Sequence, residues 1–331
     1  MPPADTAAPA SRTRRDALLW VVKITVSAGL LYLLFTRIEM AKVWAHMREA
    51  SAGWILFSFA IYFVMLMVST VRWRSLLRTQ RVEIPFGTLV NSYLAATFAN
   101  NFLPSNIGGD VIRIADTART AKSRTLAAAV VLADRGIGIV GLGFIAACGS
   151  SLAARRSEII GPIGPALFWL GLAAATAAVV LVIARPEHLR TLARPLHLIH
   201  AEWVGRRMTT ITDALHNFRK APGVLVGAFL LSIVVQALLV GFYVAVATAL
   251  RVSVPIGHMA MLVPVSFLVQ MLPVSVNGFG VREGTFVAYL AQIGIPKESA
   301  VALSLIGAVL IMAFSMLGVA AYLGRKKTPT P

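Results

Sequence analysis

Residues Asn100 to Arg113 read NNFLPSNIGGDVIR, and a second version of this pattern, LPVSVNGFGVRE, occupies residues Leu272 to Glu283. Each copy contains Leu-Pro, a Gly five residues after the Pro and an Arg nine residues after it, and each follows a long apolar run. Pro removes a backbone N–H and Gly permits a turn, so each copy is typical of an apolar helix that is interrupted. Paired interruptions in two halves of a membrane chain point to a polar site between the halves.

The composition indicates an integral membrane protein. Of the 331 residues, 57% are hydrophobic and 14% are charged, and the mean hydropathy is +0.76, whereas a soluble domain carries about 25% charged residues. The 31 Lys and Arg residues outnumber the 14 Asp and Glu residues. In a membrane protein this excess is typical of cytoplasmic loops that face anionic lipid, and a nucleic-acid partner is not expected. We therefore predict an all-α polytopic bundle with two Pro/Gly-broken, re-entrant segments and an inverted repeat.

The apolar runs divide the chain into two halves joined by a polar linker. No small-residue cleavage site follows the first apolar run at residues 17–35, so this run is predicted to be retained as a helix. We predict a disordered cytoplasmic tail at 1–16, a polytopic membrane domain at 17–324 and a basic cytoplasmic tail at 325–331. The membrane domain is divided into a first half at about 17–184, a cytoplasmic amphipathic linker at 185–222 and a second half at 223–324.

The positions of the positive residues predict the orientation of the chain. Arg72, Arg74, Arg78 and Arg81 follow the second apolar run, and most other basic residues also fall in segments that the positive-inside rule assigns to the cytoplasm. Both termini are therefore predicted to be cytoplasmic, in a multi-pass protein of the plasma or inner membrane. In this topology the first break is approached from the cytoplasm and the second from outside, as in an inverted repeat.

The linker has apolar residues at helical spacing opposite a basic face, among them Met208, Ile211, Leu215 and Phe218. Such a helix either lies in the plane of the lipid headgroups or packs on the cytoplasmic ends of the bundle. Periodicity alone leaves both arrangements open.

Ionisable side chains at membrane depth are costly, so each is a functional candidate. These residues are Asp110, Asp134, Arg135, Arg282 and Glu283. Asp134 and Arg135 are neighbours in sequence and point about 100° apart on a helix, so each is expected to find a partner elsewhere. The expected pairs join the two halves: Asp134 or Asp110 would bind Arg282. Glu283 would bind Arg113 or Arg135. The alternative is that these pairs only hold the bundle together.

The two breaks carry groups that suit an anion. Free N–H groups of Gly-rich turns and helix N-termini favour negative charge, and with Arg113 and Arg282 they would suit a phosphate diester. The predicted headgroup-binding residues are Arg113, Arg282, Gly108, Gly109, Gly278, Gly280, Asn106 and Asn277, and the predicted charge network comprises Asp110, Asp134, Arg135 and Glu283. The asparagines of the breaks, including Asn100 and Asn101, either hydrogen-bond a headgroup or cap the broken helices, and capping is the favoured interpretation.

Other motifs indicate no further chemistry. Gly136, Gly138 and Gly141 spell GxGxxG, but no strand precedes them and the surroundings are apolar, so they are interpreted as a helix-packing surface. The six histidines show no spacing typical of metal ligands. No metal and no cofactor is predicted.

Three segments together carry a family resemblance. NFLPSNIGGDVIR, ADRGIG and LPVSVNGFGVREG, in this order, resemble the lysylphosphatidylglycerol synthase transmembrane, or flippase-like, family, which includes the membrane part of the multiple-peptide-resistance proteins. The resemblance spans roughly residues 17 to 324. The resemblance implies a domain that moves a lipid between leaflets. The residues at positions that match the family's motifs are Arg113, Asp134, Arg135, Arg282 and Glu283.

The expected function is a flippase or transporter for an anionic or modified lipid of the aminoacyl, glycosyl or polyprenyl type, without covalent chemistry. Two alternatives are an accessory membrane protein of lipid or hopanoid biosynthesis and a membrane-embedded glycosyl or lipid transferase. In the transferase, Asp110, Asp134 or Glu283 would act as the base. Aminoacylation of lipid is not expected, because no soluble transferring domain follows residue 324. The expected partner is a membrane lipid with a phosphate-bearing headgroup, with further anionic lipid at the basic cytoplasmic surface.

Overall fold

The structure, a computed structural model, describes residues 40–102, 108–155, 163–187, 194–271 and 278–323, together with three single positions near the start of the chain. The predicted tails at 1–16 and 325–331 lie outside the described residues, as does nearly all of the predicted first helix at 17–35. Within residues 194–204 the backbone alone is described.

The described residues form α-helices and one short 3₁₀-helix, with no strand among them. In chain order the α-helices are α1 Met40–Arg48, α2 Ala52–Thr79, α3 Phe86–Phe102, α4 Gly108–Ala121, α5 Arg124–Ala154, α6 Ile163–Ala184, α7 Arg194–Lys220, α8 Pro222–Ala249, α9 Ile256–Gln270, α10 Val281–Leu290, α11 Lys297–Ser315 and α12 Leu317–Leu323, and the 3₁₀-helix is Ala291–Ile293.

Five helices in the described part of the chain are long and apolar enough to cross a membrane. They are α2, α5, α6, α8 and the continuous segment Lys297–Val319. Local signals set where they begin: the Ser123 hydroxyl accepts a hydrogen bond from the Leu126 N–H at 3.2 Å at the start of α5, and Pro222 opens α8. The prediction of an all-α, multi-pass membrane protein is confirmed.

Each sequence break lies between two helices that pack on each other. Helices α3 and α4 flank the first break, and α9 and α10 flank the second. The central residues of the breaks, 103–107 and 272–277, lie outside the described residues, and with them the predicted site residues Asn106 and Asn277. The Asn100 side chain accepts a hydrogen bond from the Gly109 N–H at 2.7 Å, so the capping interpretation is confirmed for this asparagine. That either segment is re-entrant stays a prediction.

Corresponding helices of the two halves pack in corresponding ways. Helix α9 packs on α5, and its counterpart α3 packs on α11 and α12, while the long helices α2 and α8 pack on each other. Helices α2 and α8 run antiparallel, because the Ser51 N–H meets the Ala249 carbonyl at 2.9 Å and Arg72 meets Ser232. Antiparallel counterparts are what an inverted repeat requires, so this packing supports the predicted repeat.

The linker helix α7 packs on the bundle. It contacts α5 and α6 and, less extensively, α2 and α8. Phe218 is fully buried, and the Asn217 amide donates a hydrogen bond to the Gln80 side-chain oxygen at 3.0 Å. Of the two arrangements left open by the sequence, the structure shows packing against the ends of the bundle helices for the C-terminal part of α7.

Glycines of α5 allow neighbouring helices to approach closely. A Cβ at Gly141 would overlap the Ser232 side chain of α8, and a Cβ at Gly149 would overlap the backbone of Ala260 in α9. The interpretation of the GxGxxG pattern as a packing surface is therefore confirmed at Gly141. This close contact brings α8 against the part of α5 that carries the charged residues.

Candidate functional site

Asp134 on α5 lies between two arginines. Its Oδ1 accepts a hydrogen bond from Arg72 Nε and its Oδ2 accepts one from Arg113 Nη2, both at 2.8 Å. The Asp134 side chain is 1% exposed, and both arginine side chains are also buried. Arg72 Nη1 further donates to the Ser232 hydroxyl at 3.1 Å. The Asp134 carboxylate thus joins three helices of the first half, and Arg72 links them to α8 of the second half.

Arg113 also lies against two aromatic rings. Its guanidinium carbon is 4.3 Å from the ring centroid of Trp73 and 4.9 Å from that of Tyr93, which are cation–π distances. The Nε of Arg113 and the indole Nε1 of Trp73 are buried, and neither has a hydrogen-bond partner within the described residues. Buried donors of this kind are uncommon and call for an explanation.

Asp110 and Arg135 extend the cluster. Arg135 Nε forms an ion pair with Asp110 Oδ2, and Arg113 Nη1 lies 3.9 Å from Asp110 Oδ1. The Arg135 side chain, 31% exposed, is the most accessible of the three arginines. Three arginines against two carboxylates give the cluster a formal charge of +1.

The charged cluster forms one wall of a cavity of about 360 Å³ between the two halves. Helices α2 to α5 contribute the charged wall, together with Asn100, Asn101 and Gly109. The second half contributes Gln236 from α8, Phe267 and Gln270 from α9, and Ile311 from α11. Among the described residues that line the cavity, the charged side chains belong to the first half. The second half contributes uncharged polar and apolar side chains.

The charges of the second break form a separate, closed pair. Arg282 Nη2 donates to Glu283 Oε1 at 2.7 Å, and the other carboxylate oxygen accepts the Gly280 N–H at 2.7 Å. The Ser304 hydroxyl of α11 donates to Glu283 Oε1 at 3.3 Å. Glu283 is fully buried, and neither it nor Arg282 lines the charged cavity.

The predicted pairing between the halves is therefore wrong. Asp134 and Asp110 bind arginines of their own half, and Glu283 binds the arginine next to it in sequence. The physical reason is local: α4 packs on α5, so Arg113 and Arg135 reach carboxylates across that contact. In α10 the charged pair lies in the first turn, where the Glu283 side chain also folds back to cap the helix.

The predicted glycines have local roles. The N–H groups of Gly109 and Gly280 are donated to Asn100 and Glu283, so neither is free for an anion. Gly278 has φ of +74° and packs on Gln270, which lines the cavity. Gly108 is half-buried at the start of α4. Among the described residues of the second break, Gly278 thus contacts the cavity lining through Gln270.

Arg72 was missed as a site residue by sequence reasoning. It follows an apolar run and precedes Arg74 and Arg78, so its charge was assigned to a cytoplasmic loop. The apolar residues that follow Arg72 at helical spacing could have indicated that it is buried. Trp73, Leu76 and Leu77 continue the helix and are buried together with Arg72.

These features define a multi-pass membrane protein with a buried charge cluster in a cavity between two related halves. The family described as the lysylphosphatidylglycerol synthase TM region matches residues 20–318. The chain belongs to this family, as its three motif segments indicated. No curated protein matches the chain.

Proposed function

We propose that the protein is a transporter that moves a lipid with a phosphate-bearing headgroup between membrane leaflets. The observation that carries this proposal is the net positive ion-pair cluster on the wall of the cavity between the halves. Family membership supports a role connected with lipid, and the cavity supplies the chemistry for a headgroup.

A phosphate diester fits the charge and the donors of this cavity. The cluster carries one positive charge more than its carboxylates compensate, and an anionic headgroup would neutralise it. Arginine donates two parallel hydrogen bonds to phosphate oxygens, which a lysine cannot do. Arg135, whose side chain is 31% exposed, is accessible for such a contact.

The relation between the halves supports movement of the headgroup across the membrane. The cavity lies where α2 to α5 meet α8, α9 and α11, and α2 and α8 run antiparallel as counterparts in an inverted repeat. In such repeats, rocking of one half against the other opens a central site to each side in turn. The acyl chains would remain in the bilayer while the headgroup crosses.

The state of the carboxylates favours a carrier over a transferase. A general base must reach the acceptor hydroxyl with a free oxygen. Asp134 and Glu283 are buried and hold two or more donors each, and Asp110 is paired with Arg135. These carboxylates are engaged in holding arginines.

Translocation of fluorescent phosphatidylglycerol in liposomes containing the purified protein tests the proposal. Arg135→Gln lowers the cluster charge to zero and is expected to slow translocation at least tenfold, since a hydrogen bond to a charged group is worth about 1.5–3 kcal/mol. Asp110→Asn/Arg135→Gln restores the charge of +1 but not the hydrogen bonds of the arginine, so it is expected to recover part of the rate. Arg78→Gln, at an exposed arginine outside the cavity, is the matched control.

If Arg135→Gln translocates lipid at the wild-type rate, the net charge of the cluster has no role in transport. Loss of translocation in Arg78→Gln as well would show that the effect is one of general surface charge. Recovery of covalently altered lipid from the liposomes would support the transferase instead.

We further propose that the protein resides in the plasma or inner membrane with both termini in the cytoplasm, on the strength of its basic loops. Arg119→Cys in a Cys148→Ala background places one thiol at the end of α4, where Arg119 is exposed. An impermeant thiol reagent added to intact cells is expected to leave this cysteine unmodified. Modification from outside would contradict the orientation and, with it, the proposed approach to the first break from the cytoplasm.

A further inference from the structure

A second and larger cavity lies on the outer side of α5. It has a volume of about 880 Å³ and is walled by α4, α5, α6, α7 and the start of α8. Apart from Arg124, Thr125 and Arg207, the lining within the described part of the chain is apolar, with Ala129, Leu132 and Gly136 on α5 and Val179 and Val182 on α6. The same helix α5 contributes Asp134 and Gly138 to the charged cavity, so it forms a wall between the two.

Two arginines line this groove. Arg124 at the start of α5 and Arg207 on α7 line it, and both side chains are exposed. Thr125, next to Arg124 in sequence, also lines it. The N-terminal end of α5 adds a partial positive charge at the same place. The groove therefore combines a mainly apolar lining with two cationic side chains, one of them at the N-terminal end of α5.

The length of the groove matches one leaflet of a bilayer. Along α5 it extends from Arg124 to Ile137, which at 1.5 Å per residue is about 20 Å. A bilayer with its headgroups is about 40–45 Å thick, so one leaflet with its headgroups is about 20 Å deep. With the arginines at the level of the headgroups, the apolar lining would reach to about the middle of the bilayer.

We propose that this groove is a discrete binding site for one anionic phospholipid, with an acyl chain between α5, α6 and α7 and the phosphate at Arg124 and Arg207. The occupant is a membrane lipid rather than a soluble phosphate, because most of the site is apolar and it is as deep as a leaflet. The site is separate from the charged cavity and does not depend on transport.

Native mass spectrometry of the full-length protein in detergent tests the site. The probes are dioleoyl phosphatidylglycerol and dioleoyl phosphatidylcholine, which share acyl chains and differ in headgroup charge. The wild type is expected to retain the anionic lipid preferentially. Arg124→Ala/Arg207→Ala should lower its retention by about fivefold or more for each arginine, the effect of one basic side chain near an anionic lipid surface.

The matched control is Arg119→Ala/Arg206→Ala, which removes two exposed arginines close in sequence to the first pair but outside the groove lining. It is expected to retain the anionic lipid as the wild type does. Equal losses in the two double variants would overturn a discrete site in favour of general attraction to basic surface. If neither double variant retains less phosphatidylglycerol than the wild type, Arg124 and Arg207 do not bind the lipid.

A second pair of variants tests the apolar body of the groove. A Cβ at Gly136 meets nothing closer than Val179 Cγ2 at 3.9 Å, so Gly136→Leu can be accommodated while it fills the groove. Gly171→Leu places the same side chain on exposed α6 with open space around it. Gly136→Leu should lower phosphatidylglycerol retention at least fivefold and Gly171→Leu should not. Unchanged retention in Gly136→Leu, or full displacement of the lipid by inorganic phosphate, would overturn the acyl-chain site.

Because these measurements report binding, they separate the groove from the charged cavity. Arg135→Gln is expected to leave retention in the groove unchanged while it slows translocation. A loss of retention in Arg135→Gln equal to that in Arg124→Ala/Arg207→Ala would show one lipid site instead of two.

Discussion

Replacing Asp134 by asparagine tests the energetic role of the charge cluster. Asp134→Asn keeps the size and shape of the side chain and removes its charge. Arg72 and Arg113, which both bind the carboxylate at 2.8 Å, would then remain buried with one neutral acceptor between them. The change therefore alters the electrostatics of the cluster with little change in packing.

The expected loss of stability is large. Removing one partner of a buried ion pair typically costs about 3–5 kcal/mol, because the remaining charge is left uncompensated. Asp134 is 1% exposed, so water can replace little of the lost interaction. The Ser232 hydroxyl still accepts from Arg72, and the rings of Trp73 and Tyr93 still contact Arg113. We expect the free energy of unfolding to fall by about 3 kcal/mol, near the lower end of that range.

Reversible unfolding in mixed detergent micelles, followed by far-ultraviolet circular dichroism, measures this loss. Asp213→Asn is the matched control, since Asp213 is exposed on α7 and such a change is usually within about 0.5 kcal/mol. A loss below about 1 kcal/mol in Asp134→Asn would refute the account of a buried, strongly coupled carboxylate.

A double-mutant cycle separates the pair from its surroundings. Arg72→Gln and Asp134→Asn, alone and together, are expected to show a coupling energy of about 1–3 kcal/mol, because the two side chains are in direct contact. Additive effects of the two changes would contradict the observed ion pair.

Further changes test the packing and the second break, each by the same unfolding measurement. Gly149→Ala should lower the free energy of unfolding by about 1–3 kcal/mol, because its Cβ would overlap the backbone of α9. The control Gly223→Ala, with open space around the new Cβ, should be close to neutral. Equal effects of the two changes would contradict the close contact between α5 and α9. Gly278→Ala should cost about 1–2 kcal/mol from its φ of +74° alone, with a further cost from overlap with Gln270, and a neutral result would contradict that backbone conformation. Glu283→Gln should cost about 3 kcal/mol or more, because it leaves the neighbouring arginine unpaired and weakens the helix cap, and a loss below about 1 kcal/mol would show that this pair is dispensable.

Residue chemistry at membrane depth identified most of the charge cluster. Asp110, Asp134 and Arg135 are found because ionisable groups in apolar surroundings need a reason to be there, and Arg113 is found as the arginine of the first break. The expectation that Asp134 and Arg135 would each bind other partners is confirmed, since neighbours on a helix point apart. This part of the site follows from helix geometry and the cost of burying charge.

The choice of partners could not be obtained in the same way. It depends on which helices touch, and the contact of α4 with α5 brings Arg113 and Arg135 to carboxylates of the same half. Arg72 was missed because the positive-inside rule uses the sign of a charge and its position after an apolar run. That rule does not register that α2 continues to Thr79 and buries Arg72.

The helices and their breaks could be located from the sequence, but their three-dimensional arrangement could not. Pro and Gly placed the interruptions, and the repeated LP-G-R spacing pointed to two related halves. Helix α2 packs antiparallel on α8, and α3 and α9 each pack on helices of the other half. Local sequence does not specify these long-range contacts.

Photocrosslinking with phosphatidylglycerol that carries a diazirine on its headgroup tests most directly whether the headgroup enters the charged cavity. After illumination of the protein in liposomes, labelled residues are mapped by peptide mass spectrometry. If the headgroup enters the cavity, residues of its lining such as Tyr93, Thr97 and Gln270 are labelled, and this labelling decreases in Arg135→Gln. Labels confined to lipid-facing residues and the outer groove, with none in the cavity, would contradict entry of the headgroup.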